Sequence, residues 1–556
     1  MRPATPERAR RGVGLDRGDG GCGLVRWVVA WGLVLGGCES MPEEVPDEES
    51  DVPPVVEPPE ETDTPPVDTD GEVPEEPETL PGGFVDLSAA IWSGGDWWVD
   101  VGTLSPFREI NYSHGSFVDL DADGAPEVVL QGVRPSTGEP PAVLVLRYED
   151  GELRVDAGLT ASLSMVRYPF LALMDLDGDG ELDMVPSQPE SGPIFGPAWR
   201  SMSSGSYEPG FVSTALADLD RDGLLDMLGF GLGCAPDQPA WVPWMREGLR
   251  TFVARPERVE TPGVTVGRVF SVGWLPSRDL VVAPGMSCQG TTPRPVAWRR
   301  DTSDADARWI AEEPTPVDAP YRVATGGGPI TTLHPTGATA LDLDEDGDLD
   351  LAMGTWFPRV LLWRDDGAAT FSDVTDEHPV PVPPREGVGV TSDLMIPWGI
   401  VALDVDRDGR DDLLVNHGND VGAWGAQIPG TQRTLLWLRR GEGWREGVAG
   451  LPDVFEGRSL TVGDLDRDGR PDLILGGIGE LPRVLLNRLD GPAGVALRLQ
   501  GTTSNPMGHG AIVRATVDGS LGPARAMGNA VGPSPASESL MFLAVGAAGV
   551  VDEVEV

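Results

Sequence analysis

A nine-residue phrase with the pattern Asp-x-Asp-x-Asp-Gly-x-x-Asp/Glu recurs six times between residues 119 and 472. Each copy lies between short apolar runs, such as Leu171-Ala172-Leu173-Met174 before one copy and Leu413-Leu414-Val415 after another. Short apolar runs that flank a glycine-containing turn are typical of paired strands. The chain therefore reads as a repeated unit of strand, acidic loop and strand. The acidic positions are Asp119, Asp121, Asp123 and Glu127; Asp175, Asp177, Asp179 and Asp183; Asp218, Asp220, Asp222 and Asp226; Asp342, Asp344, Asp346 and Asp350; Asp404, Asp406, Asp408 and Asp412; and Asp464, Asp466, Asp468 and Asp472.

The spacing of these acids predicts about six Ca²⁺ sites. Carboxylates at loop positions 1, 3, 5 and 9 can converge on one hard cation, and the glycine at position 6 allows the sharp turn with positive φ. Position 7 varies freely, as expected for a ligand that is a backbone carbonyl. All-oxygen ligation favours Ca²⁺ over zinc or copper, and tolerance of irregular geometry favours it over Mg²⁺. An EF-hand is excluded, because position 12 is an apolar strand residue such as Met353. One alternative is that the loops are solvated acidic turns without metal. If they do bind metal, the alternative to a structural ion is a catalytic one.

A second phrase sets the number of repeats. Seven apolar-aromatic segments end in arginine or asparagine, as in Leu362-Trp363-Arg364, yet there are only six acidic loops. The unmatched segment surrounds Trp298, and Val272-Gly273-Trp274-Leu275 aligns with the start of an acidic repeat. We interpret this unit as a degenerate repeat without a metal cage. Seven strand-rich units of this length favour a β-propeller over a solenoid. The predicted fold is all-β, a seven-bladed β-propeller with one blade degenerate in its metal loop.

The repeated phrase resembles the FG-GAP/VCBS repeat, which builds the integrin α propeller with calcium in its blade loops. The likeness covers residues 83–488. The segment Phe84-Val85-Asp86-Leu87 resembles Phe371-Ser372-Asp373-Val374, which follows a Trp-Arg strand. The last repeat lacks such a phrase after Asn487. We therefore expect residues 84–87 to complete the final blade and close the ring.

The N-terminal segment resembles a bacterial lipoprotein signal. Six arginines precede the apolar run from Trp27 to Leu35, and Leu35-Gly36-Gly37-Cys38 resembles a lipobox. The resemblance implies that residues 1–38 are a signal with Cys38 as the lipid anchor; an ordinary secretion signal or a buried strand is the alternative. Residues 39–80 contain 17 acidic residues, ten prolines and no basic residue. Such a composition predicts a disordered, extended tether over 39–82, although an acidic binding tail is also open.

Residues 489–556 form a different, small β domain. The residues Gly501, Ser504, Asn505, Gly510 and Ala511 resemble the ASPIC/UnbV domain that follows FG-GAP repeats in the cartilage acidic protein family and its bacterial relatives. Phe542-Leu543-Ala544-Val545-Gly546 departs from that family's pattern, and the chain ends before its usual Trp-Pro. His509 lies in a glycine-rich turn, where a structural role is the commoner one.

Composition excludes several functions. The net charge is −48, which disfavours nucleic acid and anionic membrane surfaces as partners. All 41 basic residues are arginine, so Schiff-base, pyridoxal-phosphate and P-loop lysine chemistry are excluded. No catalytic residue is predicted. Cys234 and Cys288 hold near-equivalent places in adjacent repeats, where they either form a disulfide or remain free thiols.

These observations predict a binding protein rather than an enzyme. We expect an exported, lipid-anchored, calcium-binding propeller at the bacterial outer membrane or cell surface, with an unknown protein or glycan as its ligand. Its membrane contact would be through the lipid alone. The alternatives are a polysaccharide-active enzyme that uses the propeller face and an assembly factor for another secreted protein.

Overall fold

The computed structural model describes most of the chain from residue 77 onward. The described residues are 77–93, 97–99, 113–135, 143–163, 170–186, 195–196, 211–231, 241–248, 250–260, 273–276, 279–283, 296–301, 303, 308–312, 335–355, 360–367, 370–378, 380, 395–418, 432–441, 443–477, 480–502, 505–528, 539–545 and 549–556. The predictions for Cys38, Cys234 and Cys288, and for residues 1–76, lie outside them.

The described part of the chain is nearly all β, and seven of its sheets, which we number 1 to 7, follow one another along residues 114–487. Sheet 1 contains His114–Val118, Glu127–Gln131, Val143–Glu149 and Glu152–Val155. Sheet 2 contains Phe170–Met174 and Asp183–Pro186. Sheet 3 contains Phe211–Ala217, Asp226–Gly231, Trp241–Arg246 and Phe252–Ala254. Sheets 4 and 5 contain Gly273–Leu275, Leu280–Ala283, Val296–Asp301, Arg308–Glu312 and the parallel edge Val259–Glu260; then Pro335–Leu341, Asp350–Thr355, Val360–Asp365 and Phe371–Asp373. Sheets 6 and 7 contain Ile396–Leu403, Asp412–Gly418, Thr434–Arg440, Gly443–Val448 and Glu78–Thr79; then Gly457–Gly463, Asp472–Gly477, Arg483–Asn487 and Phe84–Asp86.

The other described elements are short. The helices are Ser88–Ser93, Ala157–Leu163 and the 3₁₀ turn Pro256–Arg258, and Trp97–Val99 pairs with Val133–Pro135. No helix within the described residues has the length and apolar character needed to cross a membrane.

Buried apolar clusters join the sheets in a closed order. Seven clusters each contain side chains from two successive sheets, from sheets 1 and 2 through to sheets 6 and 7, and one of them joins sheet 7 back to sheet 1. At this last contact Ile474 packs in one cluster with Phe117, and Thr461 Oγ1 donates to Gly115 O at 2.8 Å. This arrangement confirms the predicted all-β, propeller-like class. The number of seven blades stays a prediction, because the chain beyond Pro186 in sheet 2 is largely outside the described residues.

An N-terminal strand completes sheet 7. Phe84–Asp86 pairs antiparallel with Arg483–Asn487, with Val85 opposite Leu486. Phe84 is buried in the cluster between sheets 6 and 7. The prediction that residues 84–87 complete the last repeat is confirmed for this strand, which occupies the outer position that Phe371–Asp373 has in sheet 5.

The folded part of the chain begins before residue 83, the boundary expected from composition. Glu78–Thr79 pairs parallel with the outer strand of sheet 6, opposite Gly447 and Val448. An outer strand presents unpaired backbone groups that an extended segment can satisfy. Arg440 reaches Glu78 with Nε and Nη2, each at 3.1 Å, and so compensates its charge.

The degenerate repeat forms sheet 4 without an acidic loop. Its first two strands pair antiparallel, and Asp279 N donates to Pro276 O at 3.4 Å. The carboxylate of Asp279 is paired with Arg221 Nε and Arg300 Nη2, both at 3.0 Å. Two guanidinium groups therefore compensate the charge of the acid that aligns with loop position 9 of the other sheets.

The C-terminal module, residues 489–556, consists of short strands around a small core. Gly494–Arg498 pairs with Leu540–Ala544, and Ile512–Val517 pairs with Ser520–Leu521, Arg525–Ala526 and Glu553–Glu555. Its core includes Val513, Met527, Met541 and Leu543. The Asn505 side chain accepts from the backbone of His509 and donates back to it, and the imidazole contacts Ser539 at 2.5 Å. These contacts give His509 a structural role.

Candidate metal centres

Each acidic loop takes the number of its sheet: loop 1 is 119–127, loop 2 is 175–183, loop 3 is 218–226, loop 5 is 342–350, loop 6 is 404–412 and loop 7 is 464–472. The glycine at position 6 has φ between 77° and 98° in every loop, as predicted. Position 4 is also left-handed, with φ from 58° to 75°, in Ala122, Gly178, Arg221, Glu345, Arg407 and Arg467. The sequence did not predict this, and its only signal is that position 4 never carries a β-branched residue.

In the carboxylate at position 1, one oxygen accepts a hydrogen bond from the protein and the other has no partner in four of the loops. Its Oδ2 accepts from the backbone N–H of the position 6 glycine at 2.8–3.1 Å in all six loops. Its Oδ1 is buried without a hydrogen-bond partner in Asp119, Asp218, Asp342 and Asp404. Asp404 is only 1% exposed and Asp342 only 6%. A buried anionic oxygen without a partner is costly, so these atoms fit a ligand that supplies positive charge.

The carboxylate at position 9, at the start of the second strand, accepts hydrogen bonds from the beginning of the loop and from the third strand. One oxygen accepts from the N–H of position 2 at 2.6–3.1 Å in all six loops. In sheets 3, 5, 6 and 7 the other oxygen accepts from an N–H of the third strand at 2.7–2.8 Å. Position 2 is buried in every loop, as its apolar character predicts. Each of these carboxylate oxygens keeps a further lone pair for a cation.

Positions 1, 3 and 9 form the centre of each candidate cage. In loops 1, 2, 3, 5 and 6, one oxygen from each of these three positions lies within 4.8 Å of the other two. Position 5 is held by the turn, because its Oδ1 accepts from the N–H of position 7 at 2.7–3.0 Å. The convergent donors are all oxygen, which suits Ca²⁺ and also other hard cations.

Burial and like charge make the metal-free cages retain protons. Burial raises the pKa of Asp350 and of Asp472 to about 8, against partly compensating backbone hydrogen bonds. Burial likewise raises the pKa of Glu127 and of Asp404 to about 7, and that of Asp412 well above its ordinary value. Neighbouring loop carboxylates add to each of these upward shifts.

Arginines at the rim compensate the more exposed acids. Arg440 reaches Asp406 at 2.5 Å and Asp408 at 3.0 Å, and Arg488 reaches Asp466 at 2.6 Å. Arg250 contacts the carboxylates of loop 2 in the same way. These three arginines act on positions 3 and 5, whereas in loop 1 Arg147 also reaches Glu127 at position 9, at 3.0 Å. The buried position 1 Oδ1 atoms named above still have no hydrogen-bond partner.

Buried arginines also link neighbouring sheets. Arg246 of sheet 3 donates from Nη1 to Leu176 O in loop 2 at 2.8 Å, and Arg439 of sheet 6 donates from Nη2 to Leu343 O in loop 5 at 3.0 Å. In both cases the acceptor is the carbonyl of loop position 2. In these two sheets, the arginine that ends the apolar-aromatic phrase therefore holds the acidic loop of the preceding sheet in place. The sequence pattern does not reveal this role.

Comparison with known proteins supports the repeat assignment. Residues 342–415 match the FG-GAP-like repeat family, a segment that contains loops 5 and 6. No curated protein matches the chain in sequence.

Solved structures resemble the chain only distantly. The V. cholerae biofilm matrix protein Bap1 has 13% identity and a TM-score of 0.29, with 77% of this chain and 85% of that chain covered. The rhamnogalacturonan lyase YesW has 14% identity and a TM-score of 0.31, with coverage of 75% and 76%. A Trypanosoma rangeli sialidase has 11% identity and a TM-score of 0.31, with coverage of 67% and 53%. At these values the likenesses carry no argument about this chain.

Proposed function

We propose that this protein is an exported, calcium-dependent β-propeller that binds a protein or glycan at the bacterial cell envelope. The observation that carries the calcium assignment is the buried position 1 oxygen without a partner in four loops, beside two further carboxylates that converge on it. A divalent cation would satisfy that oxygen and offset the mutual repulsion of the acids.

Calcium would act as a structural ion. The position 9 carboxylate joins the loop to the second and third strands through backbone hydrogen bonds. An ion bound to the same carboxylate would connect these strands to the start of the loop. The blade turns would then be rigid, and ligand recognition would fall to the surface between and beyond them. The FG-GAP-like match over two of the six loops supports this role.

The proposed place of action rests on the likeness of the N-terminal sequence to a lipoprotein signal. Leu35-Gly36-Gly37-Cys38 would direct export and lipid attachment at Cys38, and the acidic, proline-rich segment after it would hold the propeller away from the membrane. Cell fractionation tests this proposal: the wild-type chain is expected in the membrane fraction, and Cys38→Ser is expected to release it. Retention of the variant on the membrane would contradict the lipid anchor.

Calcium binding is tested by isothermal titration calorimetry of the purified full chain after treatment with EDTA. About six calcium ions should bind per chain if every loop is competent, and the melting temperature should rise. Asp344→Asn removes a position 3 carboxylate that belongs to the cage of loop 5 and should abolish one site. Asp348→Asn, at position 7 of the same loop, is the matched control and should keep all of them. No calcium uptake, or equal stoichiometry in both variants, would overturn the assignment.

The binding role is tested with a glycan array and a pull-down of surface proteins, each with calcium and with EDTA. Calcium-dependent capture of a defined ligand supports the proposal. Turnover of a polysaccharide would instead support a carbohydrate-active enzyme.

A further inference from the structure

Two neighbouring residues of the C-terminal module, Ala524 and Arg525, lie between loops 5 and 6. Ala524 N donates to Asp342 Oδ2, the position 1 carboxylate of loop 5, at 2.8 Å. Arg525 Nε donates to Asp411 Oδ1 of loop 6 at 2.6 Å, and its Nη2 donates to Gly409 O at 3.3 Å. The module is therefore bound to two different acidic loops by adjacent residues.

This interface is buried. Ala524 is fully buried in the apolar cluster that joins sheets 4 and 5, against which Ile512 and Ala526 of the module also pack. The side chain of Arg525 is 12% exposed and that of Asp411 is 6% exposed. A buried ion pair is favourable only when its geometry is good, so this pair fixes how the module lies on the loops.

The sequence of loop 6 departs from the repeat at the residue that binds the module. In loop 6, position 8 is Asp411, which is not one of the three acids that converge in that cage. The Arg525 contact therefore uses a carboxylate that the cage does not need. In the other five loops position 8 is apolar or proline: Pro126, Leu182, Leu225, Leu349 and Pro471.

In loop 5 the module contacts a cage carboxylate directly. Asp342 Oδ2 accepts from Gly347 N at 3.1 Å as well as from Ala524 N, whereas Oδ1 is buried without a hydrogen-bond partner. The orientation of Asp342 that leaves Oδ1 to a cation is thus the orientation that receives the N–H of the module. Cation binding in loop 5 and docking of the module therefore require the same arrangement of one side chain.

The balance of charge also favours loop 5 over loop 6. Arg525 Nη2 lies 3.9 Å from Asp404 Oδ2, so the docked module adds a positive charge beside the cage of loop 6, whereas its contact to the cage acid of loop 5 is a neutral amide. Loop 5 contains six acids, and the arginines beside it are Arg364, Arg410 and Arg514. Loop 6 contains five acids, and its arginines are Arg407, Arg410, Arg440 and Arg525. Loop 5 keeps the larger excess of negative charge and so attracts a cation more strongly.

We infer that the metal centre of loop 5 and the docking of the C-terminal module are coupled: calcium in loop 5 holds the module on the loops, and the docked module strengthens calcium binding there. Such coupling is reciprocal and typically amounts to about 5- to 150-fold in affinity. The inference rests on the calcium function proposed above and adds a regulatory role for one of the six loops. Low calcium would loosen the module and uncover the surfaces of loops 5 and 6 that it covers.

The test is hydrogen exchange of the EDTA-treated full chain, measured by mass spectrometry with and without calcium. The amide of Ala524 reports docking, because its acceptor lies in loop 5. Calcium should slow its exchange by about tenfold or more in the wild-type chain. Asp344→Asn removes a carboxylate of the loop 5 cage and should abolish this effect. Asp220→Asn removes the same position from loop 3, which is not involved in the contacts above, and should retain it.

The reciprocal effect is tested with Arg525→Gln, which breaks the ion pair with Asp411 and removes no cage acid. It should speed exchange of the Ala524 amide and weaken one calcium site by about fivefold or more in calorimetric titration. This loss of affinity should be absent when Asp344→Asn is already present. Arg498→Gln, which changes an exposed arginine of the same module, is the matched control and should keep both quantities within about twofold of the wild type.

The outcomes separate this inference from the calcium assignment itself. Calcium uptake without slower exchange at Ala524 would overturn the coupling and leave the metal sites intact. Loss of the calcium effect in both Asp344→Asn and Asp220→Asn would indicate general stabilisation by calcium and would also overturn it. No calcium uptake would overturn both proposals. If Asp344→Asn fails to fold, the wild-type exchange and the comparison of Arg525→Gln with Arg498→Gln still decide.

Discussion

Calcium binding to the acidic loops should release protons at neutral pH, because the metal-free loops hold several of their carboxylates in the neutral form. Asp350 and Asp472, with pKa values raised to about 8, are mostly protonated at pH 7. Burial also raises the pKa values of Asp226 and Asp412 well above their ordinary value. Since a cation requires ionised ligands, saturation with calcium should release about three protons per chain from Asp350, Asp472 and the half-protonated Glu127 and Asp404.

The same shifts determine how stability depends on pH. A carboxyl whose pKa is higher in the folded than in the unfolded chain favours folding below its ordinary value of about 4, and this contribution is lost as the pH rises through the folded value. For Asp472 the window runs from about 4 to about 8, and at about 1.4 kcal/mol per pH unit its upper limit is ~6 kcal/mol. The calcium-free protein should therefore lose stability between pH 5 and pH 8. The calcium-loaded protein should lose much less.

Two measurements check this reasoning. A pH-stat titration of the EDTA-treated protein in weak buffer counts the protons released by calcium, and calorimetric melting at pH 5, 6, 7 and 8 with and without calcium gives the stability. Asp348→Asn is the control, since its loop position is not expected to supply a side-chain ligand. Saturation by calcium with less than one proton released would show that the loop acids are ionised before the metal binds, and the argument from burial would fail.

Two further predictions concern the fold. Phe84→Ala should lower the free energy of unfolding by about 3–5 kcal/mol, because it empties a buried site between sheets 6 and 7; a loss below 1 kcal/mol in urea unfolding would show that the N-terminal strand is dispensable. Gly409→Ala should cost only the strain of a left-handed backbone, about 1–2 kcal/mol, since no atom lies within 4 Å of the new Cβ. Gly469→Ala, at the same position of loop 7, should cost clearly more because its Cβ would lie 2.4 Å from Gly494 O, and equal losses in the two variants would argue against close contact between loop 7 and the C-terminal module.

The repeat pattern was sufficient to predict much of the fold. The regular spacing of Asp and Gly located the six loops and the left-handed glycines, since few residues other than glycine adopt that conformation easily. The Trp298 segment located a repeat without a cage, which the structure shows as sheet 4. The likeness of residues 84–87 to Phe371-Ser372-Asp373-Val374 predicted a pairing between distant parts of the chain, as found for Val85 and Leu486.

Other features depend on contacts that no local pattern records. Asp342 Oδ2 accepts from Ala524 N at 2.8 Å, so the C-terminal module contacts loop 5 directly. Arg246 and Arg439 bind carbonyls of a neighbouring sheet, and the sequence identifies them only as the ends of strands. Nothing in the sequence distinguishes Arg407 from the other residues at loop position 4, and its burial depends on the C-terminal module that covers it. In each case the partner lies in a different repeat or domain, and its identity is set by the packing of sheets.

The pairing of Phe84–Asp86 with Arg483–Asn487 joins segments that are about 400 residues apart in the chain. The strand Phe84–Asp86 therefore has no partner until nearly all of the seven sheets have been synthesised. Contacts of such long range slow folding and leave strand edges exposed in the meantime. A chain interrupted anywhere before residue 483 would lack the strand that pairs with Phe84–Asp86. Sheet 7 can therefore be completed only after the chain has been synthesised through residue 487.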